Sequence, residues 1–219
     1  MMISRAYVAV LVCTLFSLPA VAAADTVPLP SGGFAFVDEV VSAPAGAFAG
    51  RDTELVGSSA NAGGEVTIDA RLGESDWKRV ASAQVDQNGS FRTTWIPPVA
   101  GQYDFRISPG GDAARISSDA TLGALTVYRL QKATWYGPGF YGGRTACGRR
   151  LTETTQGVAH RTLPCGSKVK LFAGGRSVTV PVIDRGPFVS GVVWDLTSAT
   201  AASLGISTTT RLGALALPR

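Results

Sequence analysis

Few side chains in the C-terminal part of this 219-residue chain can move a proton. From residue 130 onward there are three carboxylates, Glu153, Asp184 and Asp195, and one imidazole, His160, the only histidine in the sequence. Acid–base chemistry in this half must draw on those four groups or on a tyrosine phenol. Upstream of them, Ala133 to Gly143 begins like a strand and ends as a glycine-rich loop carrying Trp135, Tyr136, Phe140 and Tyr141. Aromatic rings on a glycine frame suit stacking against sugar faces; an aromatic turn capping a core has the same composition. The formal G-x-G-x-x-G of Gly137, Gly139 and Gly142 is not a dinucleotide site, because Pro138 and two aromatics interrupt it and no helix pattern follows.

The elements that must hold these groups are short strands. With 26 Gly and 12 Pro the chain favours turns over long helices, which excludes a coiled coil or a helical bundle. Ser167 to Phe172 reads as a strand, Gly174-Gly175 as a turn, and Ser177 to Ile183 as a second strand leading into Asp184-Arg185-Gly186-Pro187-Phe188. Trp194 to Thr197 opens a short helix through Leu204, ended by Gly205, with Asp195 a candidate N-cap. Asp184 before Arg-Gly-Pro is equally a turn former, and His160 equally a structural histidine. In the N-terminal half, Val66, Ile68, Ala70 and Leu72 alternate, as do Phe91, Thr93 and Trp95, then Tyr103, Phe105 and Ile107. Period 2 at this spacing predicts a β-sandwich. Asn88-Gly89 predicts a hairpin turn, and Trp77 and Trp95 are expected in the core. Tyr103 resembles the tyrosine at a strand corner of immunoglobulin-like domains.

Residues 1–24 have a positive start, one apolar run and Ala22-Ala23-Ala24, the pattern of a secretory signal peptide cleaved near Ala24. The run is short for a membrane span, so an exported protein without a stable span is expected. Cleavage removes Cys13. Cys147 and Cys165 then remain, an even number in an oxidising compartment, and are expected to pair. Two cysteines and one distant histidine do not make a structural zinc set, and no metal or other cofactor is expected. Residues 25–129 hold thirteen acidic and eight basic groups, net −5, while residues 130–219 hold three and eleven, net +8. That asymmetry predicts two domains, 25–129 and 130–219, the second meeting an anionic partner. Outside the cytoplasm an acidic wall polymer fits better than nucleic acid, for which no motif is present.

Six segments occur in an order that resembles the rare lipoprotein A family, the septal-ring lytic transglycosylases. They are Ala133 to Phe140, Thr145-Ala146, Ala159 to Pro164, Gly175 to Val178, Asp184 to Phe188, and Asp195 to Thr197. The resemblance implies a six-stranded double-psi β-barrel with a polysaccharide groove, so the chain is expected to be all-β, the immunoglobulin-like β-sandwich of the N-terminal half followed by this barrel. More remotely it extends to expansins, which carry two groove aspartates eleven residues apart, as Asp184 and Asp195 are here. The implied activity is cleavage of peptide-free peptidoglycan strands to 1,6-anhydro ends, in a secreted, wall-associated protein. The implied catalytic residues are Asp184 as general acid and His160 as its orienter or as acceptor of the 6-hydroxyl proton, with Asp195 in the groove. Trp135, Tyr136, Phe140, Tyr141, Arg149, Arg185 and Phe188 are the expected glycan contacts.

One segment departs from the family. Its Thr-Ala-Asn-Gly-Glu, with an Asp three residues later, reads Thr145-Ala146-Cys147-Gly148-Arg149 here, with Thr152 at the Asp position. Glu153 lies one residue further on, where a strand would face it the other way. Loss of both acids leaves a second class open, a non-catalytic glycan-binding or wall-loosening module. A third is a barrel that binds protein, as an inhibitor or adhesion module.

Overall fold

The computed structural model describes residues 40–42, 46–109 and 123–218. The expected signal peptide lies outside them. Chain order is β1 (Val40–Ser42), β2 (Ala47–Phe48), β3 (Thr53–Ser58), β4 (Glu65–Leu72), β5 (Lys78–Gln84), β6 (Ser90–Trp95), β7 (Gly101–Pro109), β8 (Gly123–Tyr136), β9 (Val158–Ala159), β10 (Lys168–Ala173), β11 (Arg176–Asp184), β12 (Trp194–Thr197), α1 (Ser198–Leu204) and β13 (Thr210–Ala216). The fold is mostly strand, as the glycine, proline and period-2 patterns require.

The N-terminal part is a two-sheet sandwich. One sheet has the order β1-β3-β6; the other contains β8-β7-β4-β5, with β2 alongside β8. Alternate residues Val66, Ile68 and Ala70 of β4 and Tyr103, Phe105 and Ile107 of β7 point inward to meet Leu55, Phe91 and Trp95. The Tyr103 hydroxyl donates to the Val99 carbonyl at 3.0 Å, closing the corner before β7. Two expectations are corrected. The Asn88-Gly89 turn forms, with Gly89 at φ 80°, but it joins β5 and β6, which belong to different sheets. Asp86 accepts from the backbone N–H of Asn88 and Ser90, so this turn is a corner between layers and not a hairpin. Trp77 is not in the core; it lies half-buried beneath the guanidinium groups of Arg71 and Arg106, 4.6 and 4.8 Å from its ring.

The C-terminal part is a closed six-stranded barrel in the order β12-β9-β11-β10-β13-β8, with β8 pairing back to β12. The β9–β11 and β8–β12 pairs are parallel and the other four antiparallel. Val169 and Leu171, Val180 and Val182, Leu212 and Ala214 alternate inward to fill it, closed off by Trp194, Leu196 and Leu204. Strand β8 crosses the expected boundary at residue 129/130 without interruption. Its residues 123–127 pair with β7 and its residues 129–133 with β13. Tyr128 on that strand stacks on Phe172 of the barrel with centroids 5.2 Å apart.

Candidate active site

The register of four barrel strands sets the site. Thr134 on β8 pairs with Asp195 on β12, Asp195 with Ala159 on β9, and Ala159 with Asp184 on β11. Two strand spacings put the backbones of Asp184 and Asp195 roughly 10 Å apart, with only the Ala159 methyl between them. A bulge makes this possible. The β9–β11 register shifts between Val182 and Asp184, leaving Ile183 as an extra residue. Strict alternation would send Asp184 inward with Val182; the bulge turns it out to the Ala159 side. Ile183 is buried instead, against Gly157, where a Cβ would stand 2.6 Å from its side chain.

Both aspartates line an open cleft of about 250 Å3 with Tyr136, Phe140, Arg144 and Arg185. Asp184 Oδ1 accepts from the backbone N–H of Ala146 and of Arg185, each at 2.8 Å. Asp195 Oδ1 accepts from the Thr134 hydroxyl at 2.7 Å. Burial pushes the Asp195 carboxyl above its ordinary range; the Thr134 hydrogen bond opposes this and the charge of Asp184 adds to it. Asp195 is not the helix cap that its position suggested. It belongs to β12, and Thr197 caps α1 by accepting from the Thr200 N–H.

The disulfide forms between Cys147 and Cys165, Cα atoms 5.7 Å apart. It ties the turn bearing Ala146 to the segment before β10. Arg185 completes this corner, donating to Cys165 Sγ at 3.2 Å and to the Asp184 carbonyl at 3.3 Å. Its guanidinium therefore does not neutralise the Asp184 carboxylate.

The other expected residues divide. Tyr136 and Phe140 reach the cleft, with ring centroids 6.2 Å apart. Trp135, on the opposite face of β8, donates its indole N–H to the Ser207 carbonyl. The Tyr141 hydroxyl bonds Ser198 Oγ at 2.7 Å. Arg149 is exposed and its backbone N–H donates to Thr145 Oγ1. Phe188 is 83% exposed, on a loop whose carbonyls at Pro187, Val189 and Val192 all accept from Arg161. His160 sits beside the cleft lining, its ring 4.5 Å from Trp194. Its Nδ1 accepts from the backbone N–H of Thr162 and Leu163, which fixes the other nitrogen as the N–H. Burial, with Arg161 and Arg185, pushes its pKa down. Thr134, Ala146, Ala159 and Arg144 were not anticipated. Thr134 had a signal, lying two residues before Tyr136 on one strand face; Ala159 had none. Among the described residues, no cluster of three or more His, Cys, Asp or Glu could hold a metal, and no helix is long and apolar enough to cross a membrane.

Residues 130–215 match the family model described as lytic transglycolase. The chain is 47% identical over 87 residues to the "Probable endolytic peptidoglycan transglycosylase RlpA" of Synechocystis sp., covering 38% of this chain and 27% of that protein. It is 42% identical over 120 residues to the endolytic peptidoglycan transglycosylase RlpA of Campylobacter jejuni, covering 46% and 41%. The chain thus spans under half the length of these curated relatives. A solved structure, the Streptomyces papain inhibitor, superposes with a TM-score of 0.31 and 26% identity, over 39% of this chain and 92% of that one. By sequence the segment 130–215 is thus similar to the lytic transglycolase family, and it folds as a closed six-stranded barrel.

Proposed function

We propose that this chain is an exported, wall-associated lytic transglycosylase that cuts peptide-free peptidoglycan strands and leaves 1,6-anhydro ends. The observation that carries the reading is the row Thr134–Asp195–Ala159–Asp184, two carboxylates facing one cleft with a methyl-sized floor between them. The names of the relatives supply the substrate class. Arg144 and Arg185 on the rim suit the lactyl carboxylates of stripped strands. The N-terminal sandwich, with its Tyr103 corner, serves as an immunoglobulin-like spacer or adhesion module.

The upward shift of Asp195 favours it as proton donor, in place of the Asp184 expected from sequence. Asp195 protonates the glycosidic oxygen and the C1–O bond breaks. The sugar's own 6-hydroxyl attacks C1, and its proton passes to Asp184. No water is consumed, and the pair holds one proton before and after. His160, whose backbone N–H donates to the Asp184 carbonyl at 3.2 Å, acts as a positioning residue through the turn it caps.

Digestion of peptide-stripped strands by the oxidised protein, read by mass spectrometry, tests this. Products one water lighter than hydrolytic ones are expected, with Asp184→Asn and Asp195→Asn each slower by on the order of 10²–10⁴. Hydrolytic products, or wild-type rates in both variants, would overturn it. The second reading, a glycan binder, is favoured by Arg149 and Thr152 where the resembled family carries acids. It predicts salt-sensitive pelleting with the glycan and no soluble fragments.

A further inference from the structure

We infer that the Tyr136 hydroxyl is the hydrogen-bond donor that the cleft presents to an oxygen of the sugar seated between Asp184 and Asp195. The inference rests on the proposed glycan substrate and adds a role that stacking does not supply. Among the described residues, Tyr136 Oη is the one buried side-chain polar atom without a hydrogen-bond partner. Folding selects against such atoms, because a desolvated donor forfeits its bonds to water. Its residue lines the cleft.

Its placement is fixed by the backbone. Tyr136 pairs with Thr197 across β8 and β12, two residues beyond the Thr134–Asp195 pair and on the same strand face. Thr134 spends its hydroxyl on Asp195. Tyr136 makes no bond of ordinary geometry to an acceptor, although both carboxylates are near enough to act on it. Asp184 exerts the larger effect and is the acceptor the phenol faces, at a geometry short of an ordinary hydrogen bond. Burial first, then the two negative charges, hold the phenol protonated well beyond its ordinary range. It therefore donates at every pH where the enzyme works. Tyr141, four residues past Gly137, shows the contrast: its hydroxyl is already bonded to Ser198. A donor on a cleft-lining residue that faces a carboxylate without a hydrogen bond of ordinary geometry is left for a ligand oxygen to complete.

Tyr136→Phe keeps the ring and removes only the hydroxyl. The melting temperature of the free protein is expected to stay level or rise, since an unpaired polar atom is lost. On peptide-free strands kcat is expected to fall on the order of tenfold to a hundredfold. An unchanged kcat overturns the inference, and so does a fall in kcat matched by a lower melting temperature. Retention on the same strands, measured in an Asp195→Asn background where turnover is blocked, separates the two claims. If the wild type releases no anhydro-ended product, the transglycosylase reading fails. The donor role then stands if Tyr136→Phe weakens retention about tenfold, and falls if retention is equal.

Discussion

The outer face of the sandwich and the cleft of the barrel treat their acids in opposite ways. On the sandwich, Asp69 takes Arg106 at 2.9 Å with Arg79 at 4.0 Å, and Asp104 takes Arg71 at 3.1 Å. Trp77 fills the space under the two guanidinium groups. Residues 130–219 carry eleven basic residues against three acids, yet Asp184 and Asp195 are held by neutral donors only: two backbone N–H groups and one threonine hydroxyl. Among the described residues, every ion pair lies in the sandwich. An arginine beside a carboxylate locks it ionised and unfit to give a proton. The half with surplus cations leaves its two cleft acids unneutralised, and that is the arrangement proton transfer needs.

The largest effect should separate the two faces. Asp184→Asn is expected to slow digestion by on the order of 10²–10⁴ while moving the melting temperature little. Asp69→Asn is expected to leave digestion unchanged, to cost about 1–3 kcal/mol through loss of charged hydrogen bonds, and to shift Trp77 fluorescence. Thermal unfolding and product release measured on both variants check this. Equal loss of digestion in the two would break the comparison.

An intermediate effect concerns how each region holds a turn. The sandwich corner at 86–90 is tied by one carboxylate, Asp86. The barrel turn at 145–148 is tied by the disulfide, and its Ala146 N–H fixes Asp184. Replacing Cys147 and Cys165 together by serine should lower stability by about 3 kcal/mol on the loop-entropy account. Digestion by the protein that stays folded should also fall, in kcat more than in KM. Full kcat in a merely less stable double variant would show that the crosslink supports the fold without positioning Asp184.

The strands were legible because period 2 survives in one sequence. β4, β6, β7, β10 and β11 all follow their alternating apolar residues. The Asn88-Gly89 hairpin was misread because turn chemistry reports a reversal and not the partner sheet. Trp77 was misread because two arginines can cover an indole as well as a core can. At the site, Asp184 and Asp195 were readable as residue types in matching segments. Their facing across Ala159 was not, because it depends on a bulge at Ile183 that strict alternation cannot express. The burial that raises the Asp195 carboxyl was hidden for a related reason, since burial is a property of packing.

The smallest effect tests the proposed donor role of Asp195 through stability alone. A carboxyl whose folded pKa is raised binds its proton more tightly in the folded state than in the unfolded chain. Its stabilising share is then full below the ordinary carboxylate value and declines as pH rises through the raised one. Asp195→Asn removes the ionisation and leaves Thr134 an acceptor. The variant should melt a few degrees higher at most near neutral pH, with the gain vanishing below about pH 4. His160 gives the opposite sign, because its pKa is lowered: its share is present above about pH 6.5 and is lost as pH falls. Comparing Asp195→Asn with wild type at each pH removes that background. Should Asp195→Asn instead lose stability at neutral pH, the donor role proposed for Asp195 would fall, and Asp184 would be left as the donor.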